Sequence, residues 1–183
     1  MIELAVPNVN QKTNYTCGPA SLLAVFRYLR IANRASERSL AKEMGTTVEG
    51  TDDQPMLDAA RKRWAMVTEE SGLNHLDLIA AVNMGDVLIL GIQAWTDTEP
   101  KPRGFVPSMV DGHYVVLTGA DDDGAVFMDP ASRCRRWLPR RELRYRWVDA
   151  YGGRVIYGWA MRFAGVRNPR RRTVRWSTTE QMG

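Results

Sequence analysis

The chain has only two cysteines and two histidines, so the positions of these residues decide what chemistry they can do. Cys17 stands directly before Gly18-Pro19-Ala20 and a helical pattern of apolar residues, at or just before a helix start. A helix N-terminus carries about half a positive charge and unpaired N–H groups, and both favour a thiolate over a thiol. A structural cysteine would more often sit mid-helix, facing the core. A thiolate nucleophile needs a partner to hold its proton, usually His. His75 lies early in an expected helix, beside Asn74, and reads as an ordinary N-terminal helix residue. His113 opens a strand straight after Asp111-Gly112 and a long loop, where a sheet end presents side chains to solvent. The sequence therefore favours His113.

Asp129 and Gln11 complete a set. The Asp121–Gly124 turn (DDDG) folds the strand at His113 back on the strand ending at Asp129, which brings the two close to opposite each other. Paired side chains on one face lie about 5 Å apart at Cβ, and a carboxylate there can orient an imidazole and fix its tautomer. A one-residue slip would turn one of them away, and Asp129 before Pro130 also suits a turn; the register favours the orienting role. Gln11, six residues before Cys17 in a loop, offers a side-chain NH₂. Together with the Cys17 backbone N–H it could hold an oxyanion, and one such donor is worth about 3 kcal/mol.

The elements that must position these groups follow from the pattern. Ala20, Leu23, Ala24, Phe26 and Leu29 fall near one face of a helix that begins at Gly18 and ends near Arg30–Asn33. Pro19 suits its first turn. Further helices are expected from Ser36 to Met44, from Thr51 (Thr-x-x-Gln, a capping box) to about Arg63, and from Asn74 to Asn83, with Gly85 just past its end. Strands follow at Asp86–Ala94, His113–Ala120, Ala125–Asp129 and Cys134–Leu138, then a short helix at Pro139–Trp147 and a last long strand at Arg154–Phe163. Trp64–Glu69 could add a short strand. Helices first, then an antiparallel sheet, is an α+β order and not an alternating βαβ one. The Trp95–Gly112 loop is long enough to be functional, and with the Thr46–Asp53 connection it is a candidate to line a cleft.

At this point a family resemblance is visible. The string QKTNYTCGPASLLAVFRYL resembles the nucleophile region of papain-like peptidases, more narrowly the bacteriocin-processing (double-glycine) cysteine peptidase family and its stand-alone relatives. HYVVLTG and VFMDP resemble that family's His strand and Asp-Pro strand. Trp137-Leu138-Pro139, Arg141-Glu142-Leu143 and Trp147 resemble its later segment. The resemblance spans about residues 9–163. It implies a papain-like fold with N-terminal helices packed on a C-terminal antiparallel sheet. It also implies Gln11 as oxyanion donor, Cys17 as nucleophile, His113 as base and acid, and Asp129 as its orienter. The implied substrate is a peptide or protein, with cleavage after small residues such as Gly-Gly in a leader, and an export partner is an associated expectation. Members fused to transporters often carry Asp before the Cys; here it is Thr16, and with 183 residues no fused transporter is expected. Those departures point to the stand-alone branch. The same acyl-enzyme would also serve a transpeptidase or a deamidase, and a non-catalytic peptide-binding module is the reading from another class.

Composition sets the remaining bounds. At 183 residues with 44% hydrophobic and 25% charged residues, one globular domain is expected. No signal peptide is visible, and no apolar run nears the roughly 20 residues of a membrane span. Two cysteines make no disulfide scaffold, so a reducing, cytoplasmic setting is expected; Cys134 reads as a packed or surface thiol. No Cys/His cluster has metal spacing and no phosphate loop appears, so neither metal nor cofactor is expected. Residues 1–163 hold 20 basic and 20 acidic residues, so the net charge of +4 comes from five arginines and one glutamate in the last 20. The expected division is therefore a peptidase domain at 1–163 and a basic tail at 164–183. A neutral body without a stacking motif argues against nucleic acid as a partner.

Overall fold

A computed structural model describes residues 1–95, 111–132, 134–151, 154–167 and 169–173. In chain order they form β1 (Ile2–Leu4), α1 (Cys17–Leu29), α2 (Glu37–Glu43), α3 (Asp53–Arg61), β2 (Val67–Glu70), α4 (His75–Met84), β3 (Val87–Gln93) and β4 (Gly112–Ala120). Then come β5 (Gly124–Met128), β6 (Arg135–Pro139), α5 (Arg140–Arg146), β7 (Val148–Tyr151), β8 (Arg154–Tyr157), β9 (Ala160–Phe163) and β10 (Arg171–Thr173). The expected α+β order is the observed one.

The main sheet runs β10-β1-β4-β3-β9-β2, with β5 and β6 branching from β4. Its pairings are antiparallel. β3 is buried along its whole length, which explains its unbroken Val-Leu-Ile run: a strand covered on both faces has no solvent side to make polar. α1 is buried on nearly every side and packs on β4, where the buried Ser21 hydroxyl donates to the Tyr114 carbonyl at 3.1 Å. This bond fixes the helix that begins with Cys17 against the strand that carries His113. The helix stops at Arg30, which adopts a left-handed backbone at φ 58°.

Three expectations need correction. α3 starts after Asp52, with no side-chain cap bond, so Thr51 does not form a capping box. Its hydroxyl bonds Thr46 Oγ1 at 2.7 Å and its carbonyl accepts from the Tyr114 hydroxyl at 3.1 Å; tertiary partners take the groups that a cap would use. The last long strand is broken into β8 and β9, and β8 pairs with β7 in a separate ribbon. Gly158 sits at the break with φ 64°, where a Cβ would lie 2.2 Å from the Leu73 carbonyl oxygen. Third, β4 and β5 pair as Val116↔Met128, with a register shift between Leu117 and Gly119. Continued past Met128, that register sets Asp129 against Val115. His113 and Asp129 are therefore diagonal neighbours on one face, not a direct pair, a spacing that long side chains still bridge.

Beyond residue 163, β10 pairs with β1 from Ile2↔Thr173 to Leu4↔Arg171. Arg170 donates to the Tyr28 carbonyl at 2.8 Å and lies over its ring.

Candidate active site

Cys17 is the first residue of α1 and is 7% exposed. Thr16 holds the N-cap position but makes no side-chain cap bond. Its hydroxyl donates instead to Glu37 Oε1 at 2.6 Å. The first-turn N–H groups, which have no partner inside the helix, are thereby left for other work. The backbone N–H groups of Gly18 and, from β4, of Tyr114 lie near the Cys17 sulfur and favour its thiolate.

His113, 4% exposed, stands near the start of β4. Its Nε2 bonds Asp129 Oδ1 at 2.7 Å, and Cys17 shares its cleft and is close enough to couple with the same ring. With Nε2 committed to the carboxylate, Nδ1 is the nitrogen left for sulfur. Asp129 lies just past β5, and its Oδ1 also accepts the Ala131 N–H at 2.8 Å. The Trp95 ring packs 5.0 Å from the imidazole.

Burial opposes charge on all three groups, and their mutual contacts outweigh it. It pushes the Cys17 thiol up, but His113 and the two N–H donors hold it below the usual thiol value. It pushes His113 down, yet Asp129 and Cys17 raise it to about 9. Burial pushes Asp129 up, while His113 and the Ala131 N–H hold it below the usual carboxylate range. The arrangement thus favours the thiolate–imidazolium pair more than an isolated thiol and imidazole would.

Gln11 lies on the loop before α1. Its N–H donates to the Pro130 carbonyl at 2.8 Å, which ties it to the turn beside Asp129. Its Nε2 donates to the Thr13 carbonyl at 2.7 Å. An amide nitrogen has two hydrogens, so one stays available. His75 is elsewhere, its Nε2 at 2.6 Å from the Asp121 carbonyl beyond the far end of β4. Cys134 is exposed, and both cysteines are free thiols.

A cleft of about 250 Å³ opens beside Cys17 and His113. One wall is Glu49 to Asp53, so the Thr46–Asp53 connection does line it; Gly91, Asp149, Ile156 and Trp159 form much of the rest. That wall sits close because residue 18 is glycine: a Cβ there would meet Thr51 at 3.2 Å. Residues 96–110 of the other candidate loop lie outside the described residues. No sequence motif marks Tyr114, Asp53 or Glu37 as part of the site. Tyr114 donates through its hydroxyl to Asp53 as well as to the Thr51 carbonyl. Burial, aided by the charges of Asp149, Glu69 and Asp52, lifts the Asp53 carboxyl to about 6 despite the Tyr114 bond. Tyr114 follows His113 directly, so adjacency is the available signal; Asp53 ends the Thr46–Asp53 connection that is a candidate cleft wall, and Glu37 has no signal.

The profile of the Peptidase_C39-like family matches residues 3–154. The chain belongs to that family. An uncharacterized protein of Methanothermobacter marburgensis is 29% identical to this C39-like chain over 124 residues, which are 67% of this chain and 70% of that protein. A crystal structure described as a C39-like peptidase from Bacillus anthracis superposes with a TM-score of 0.67 at 17% identity, covering 89% of this chain and 98% of that one. The peptidase domain of Streptococcus ComA, a bifunctional ABC transporter in a quorum-sensing pathway, gives 0.56 at 20% identity, with 85% and 98% covered. A double-glycine-motif protease from an AMS/PCAT transporter, in complex with the leader peptide, gives 0.53 at 18%, with 87% and 98% covered. These structures establish the α+β fold, helices packed on an antiparallel sheet, that this chain shares with C39-like peptidase domains. Membership of the C39-like family supports a cysteine peptidase, a hydrolase. Among the described residues of this C39-like chain, no helix is long and apolar enough to cross a membrane.

Proposed function

We propose that this protein is a thiol peptidase that cuts a peptide bond through an acyl-enzyme on Cys17. The observation that carries the reading is the connected chain Cys17–His113–Asp129, with His113 Nε2 at 2.7 Å from Asp129 Oδ1. His113 takes the Cys17 proton. The thiolate attacks the substrate carbonyl carbon, and the carbonyl π electrons move onto oxygen. The Cys17 N–H and the free hydrogen of the Gln11 amide receive that oxyanion. As the C–N bond breaks, His113 gives its proton to the leaving amine. Water, losing a proton to His113, then attacks the thioester; a carboxylate leaves and the thiol returns. Asp129 keeps the Nε2 proton in place, so Nδ1 faces the sulfur throughout.

For the substrate we take a peptide with a small residue, Gly foremost, before the cut. The small cleft and the double-glycine specificity named for one structural neighbour support this. An exporter would be the fitting partner, and the cytoplasm the fitting compartment, because a reducing setting keeps a nucleophilic thiol free.

The test is a quenched peptide library, with products read by mass spectrometry, for the wild type and Cys17→Ala. Cleavage after Gly that vanishes in Cys17→Ala is expected. A profile favouring bulky residues before the cut would reject the substrate reading alone. No turnover, together with no alkylation of Cys17 near neutral pH, would reject the peptidase reading.

A further inference from the structure

We propose that Glu37 is a positioning residue for the oxyanion loop: one carboxylate oxygen holds both ends of the segment between Gln11 and Cys17. The inference rests on the peptidase reading above. Glu37 is the first residue of α2 and is 6% exposed. Its Oε1 accepts the Lys12 N–H at 2.8 Å and the Thr16 hydroxyl at 2.6 Å. Lys12 directly follows the oxyanion donor, and Thr16 directly precedes the nucleophile. A side chain 21 residues downstream of Thr16 therefore sets the spacing of the two groups that must meet one carbonyl oxygen.

The hold extends to the Gln11 side chain. Thr16 Oγ1 lies 3.2 Å from the Thr13 N–H, which donates to it, and 3.0 Å from Thr13 Oγ1. The Thr13 carbonyl is the acceptor that fixes the Gln11 amide at 2.7 Å. The line Glu37–Thr16–Thr13–Gln11 is thus continuous. From the other side, the Gln11 N–H to Pro130 bond ties the loop to the Asp129 turn. Glu37 also keeps Thr16 from acting as an ordinary N-cap. Pro19 has no N–H, so a capping Thr16 hydroxyl would take up the Gly18 N–H, which otherwise favours the Cys17 thiolate. A displaced oxyanion donor loses transition-state stabilisation but leaves substrate binding nearly unchanged, so the loss belongs in kcat.

The experiment compares wild type, Glu37→Ala, Glu37→Gln, Gln11→Ala and the double variant Glu37→Ala/Gln11→Ala. The readouts are kcat and KM on the best-cleaved quenched peptide, and the rate of Cys17 alkylation by iodoacetamide, which forms no oxyanion. Glu37→Ala should lower kcat by about 10–100-fold with KM within about threefold. Glu37→Gln should recover most of it, because its amide oxygen still accepts both bonds. In the Gln11→Ala background, Glu37→Ala should add less than about threefold, since the two act through one interaction. Alkylation should fall far less than kcat. Full multiplication of the two losses, an unchanged kcat in Glu37→Ala, or alkylation falling in step with kcat would each overturn the proposal. If Glu37→Ala fails to fold, Thr16→Val removes one of the two bonds, and an undiminished kcat there would overturn it equally. No turnover by the wild type is a different result and would remove the peptidase reading itself.

Discussion

Two ionic clusters stand on the main sheet, Cys17–His113–Asp129, which is buried, and Glu3–Arg135–Arg172, which is buried at Glu3 and Arg135 and half-exposed at Arg172. Glu3 is fully buried, with Arg135 Nε at 2.7 Å from one carboxylate oxygen and Arg172 Nε at 3.0 Å from the other. This cluster stitches β6, β1 and β10 together, and Arg135 also donates to the Val6 carbonyl. An arginine side chain does not give up its proton, so the cluster holds charge but moves none. His113 can give and take a proton, and it borders a cleft. Buried charge alone is therefore no sign of catalysis. What separates the two clusters is a member that exchanges a proton and a side open to a substrate.

Substitutions in the two clusters should have opposite effects. Cys17→Ala should lower turnover by about 10⁴-fold or more while the thermal midpoint stays near that of the wild type. Gln11→Ala should lower kcat by about 10²–10³-fold with folding intact. Glu3→Gln should do the reverse. Leaving two guanidiniums without their carboxylate should cost about 3 kcal/mol of stability and roughly 6–12 °C in midpoint, with kcat per folded molecule unchanged. A large fall in kcat for Glu3→Gln would erase the distinction.

The smallest effect concerns Asp53, where the site itself carries an unfavourable charge. Its carboxyl is lifted to about 6, so the folded state favours the protonated form. That contribution is present below the ordinary carboxylate value and is lost as pH rises through about 6. Asp53→Asn should therefore stabilise the protein by about 1 kcal/mol near pH 8, the residue being only partly shielded from water, and by nothing near pH 4. Chemical denaturation at the two pH values measures it, and an equal change at both would contradict the electrostatic origin.

Much of the site could be read from the sequence because Cys17, His113 and Asp129 each sit at a local landmark: a helix start, a strand start and a hairpin end. Their exact pairing could not, since the shift near Leu117 leaves no mark that pattern alone reveals. Thr51 carried a capping signature that its bonds to Thr46 and Tyr114 override. Gly158 is visible as a glycine, but the Leu73 backbone that forbids a side chain there is not. Glu37 and Asp53 act across 20 or more residues through packing, and no local motif announces such a contact.

The two cysteines provide the most direct test of the central claim. Cys134 is exposed and Cys17 is buried, so accessibility alone would make Cys134 react first. Site-resolved iodoacetamide labelling across pH, read by mass spectrometry, compares them in one molecule. Cys17 should label faster below the roughly pH 8.5 at which an ordinary thiol ionises. A second change should follow near pH 9 as His113 loses its proton, and His113→Ala should abolish the advantage. Labelling confined to Cys134 below that pH, or a Cys17 profile untouched by His113→Ala, would contradict the central claim.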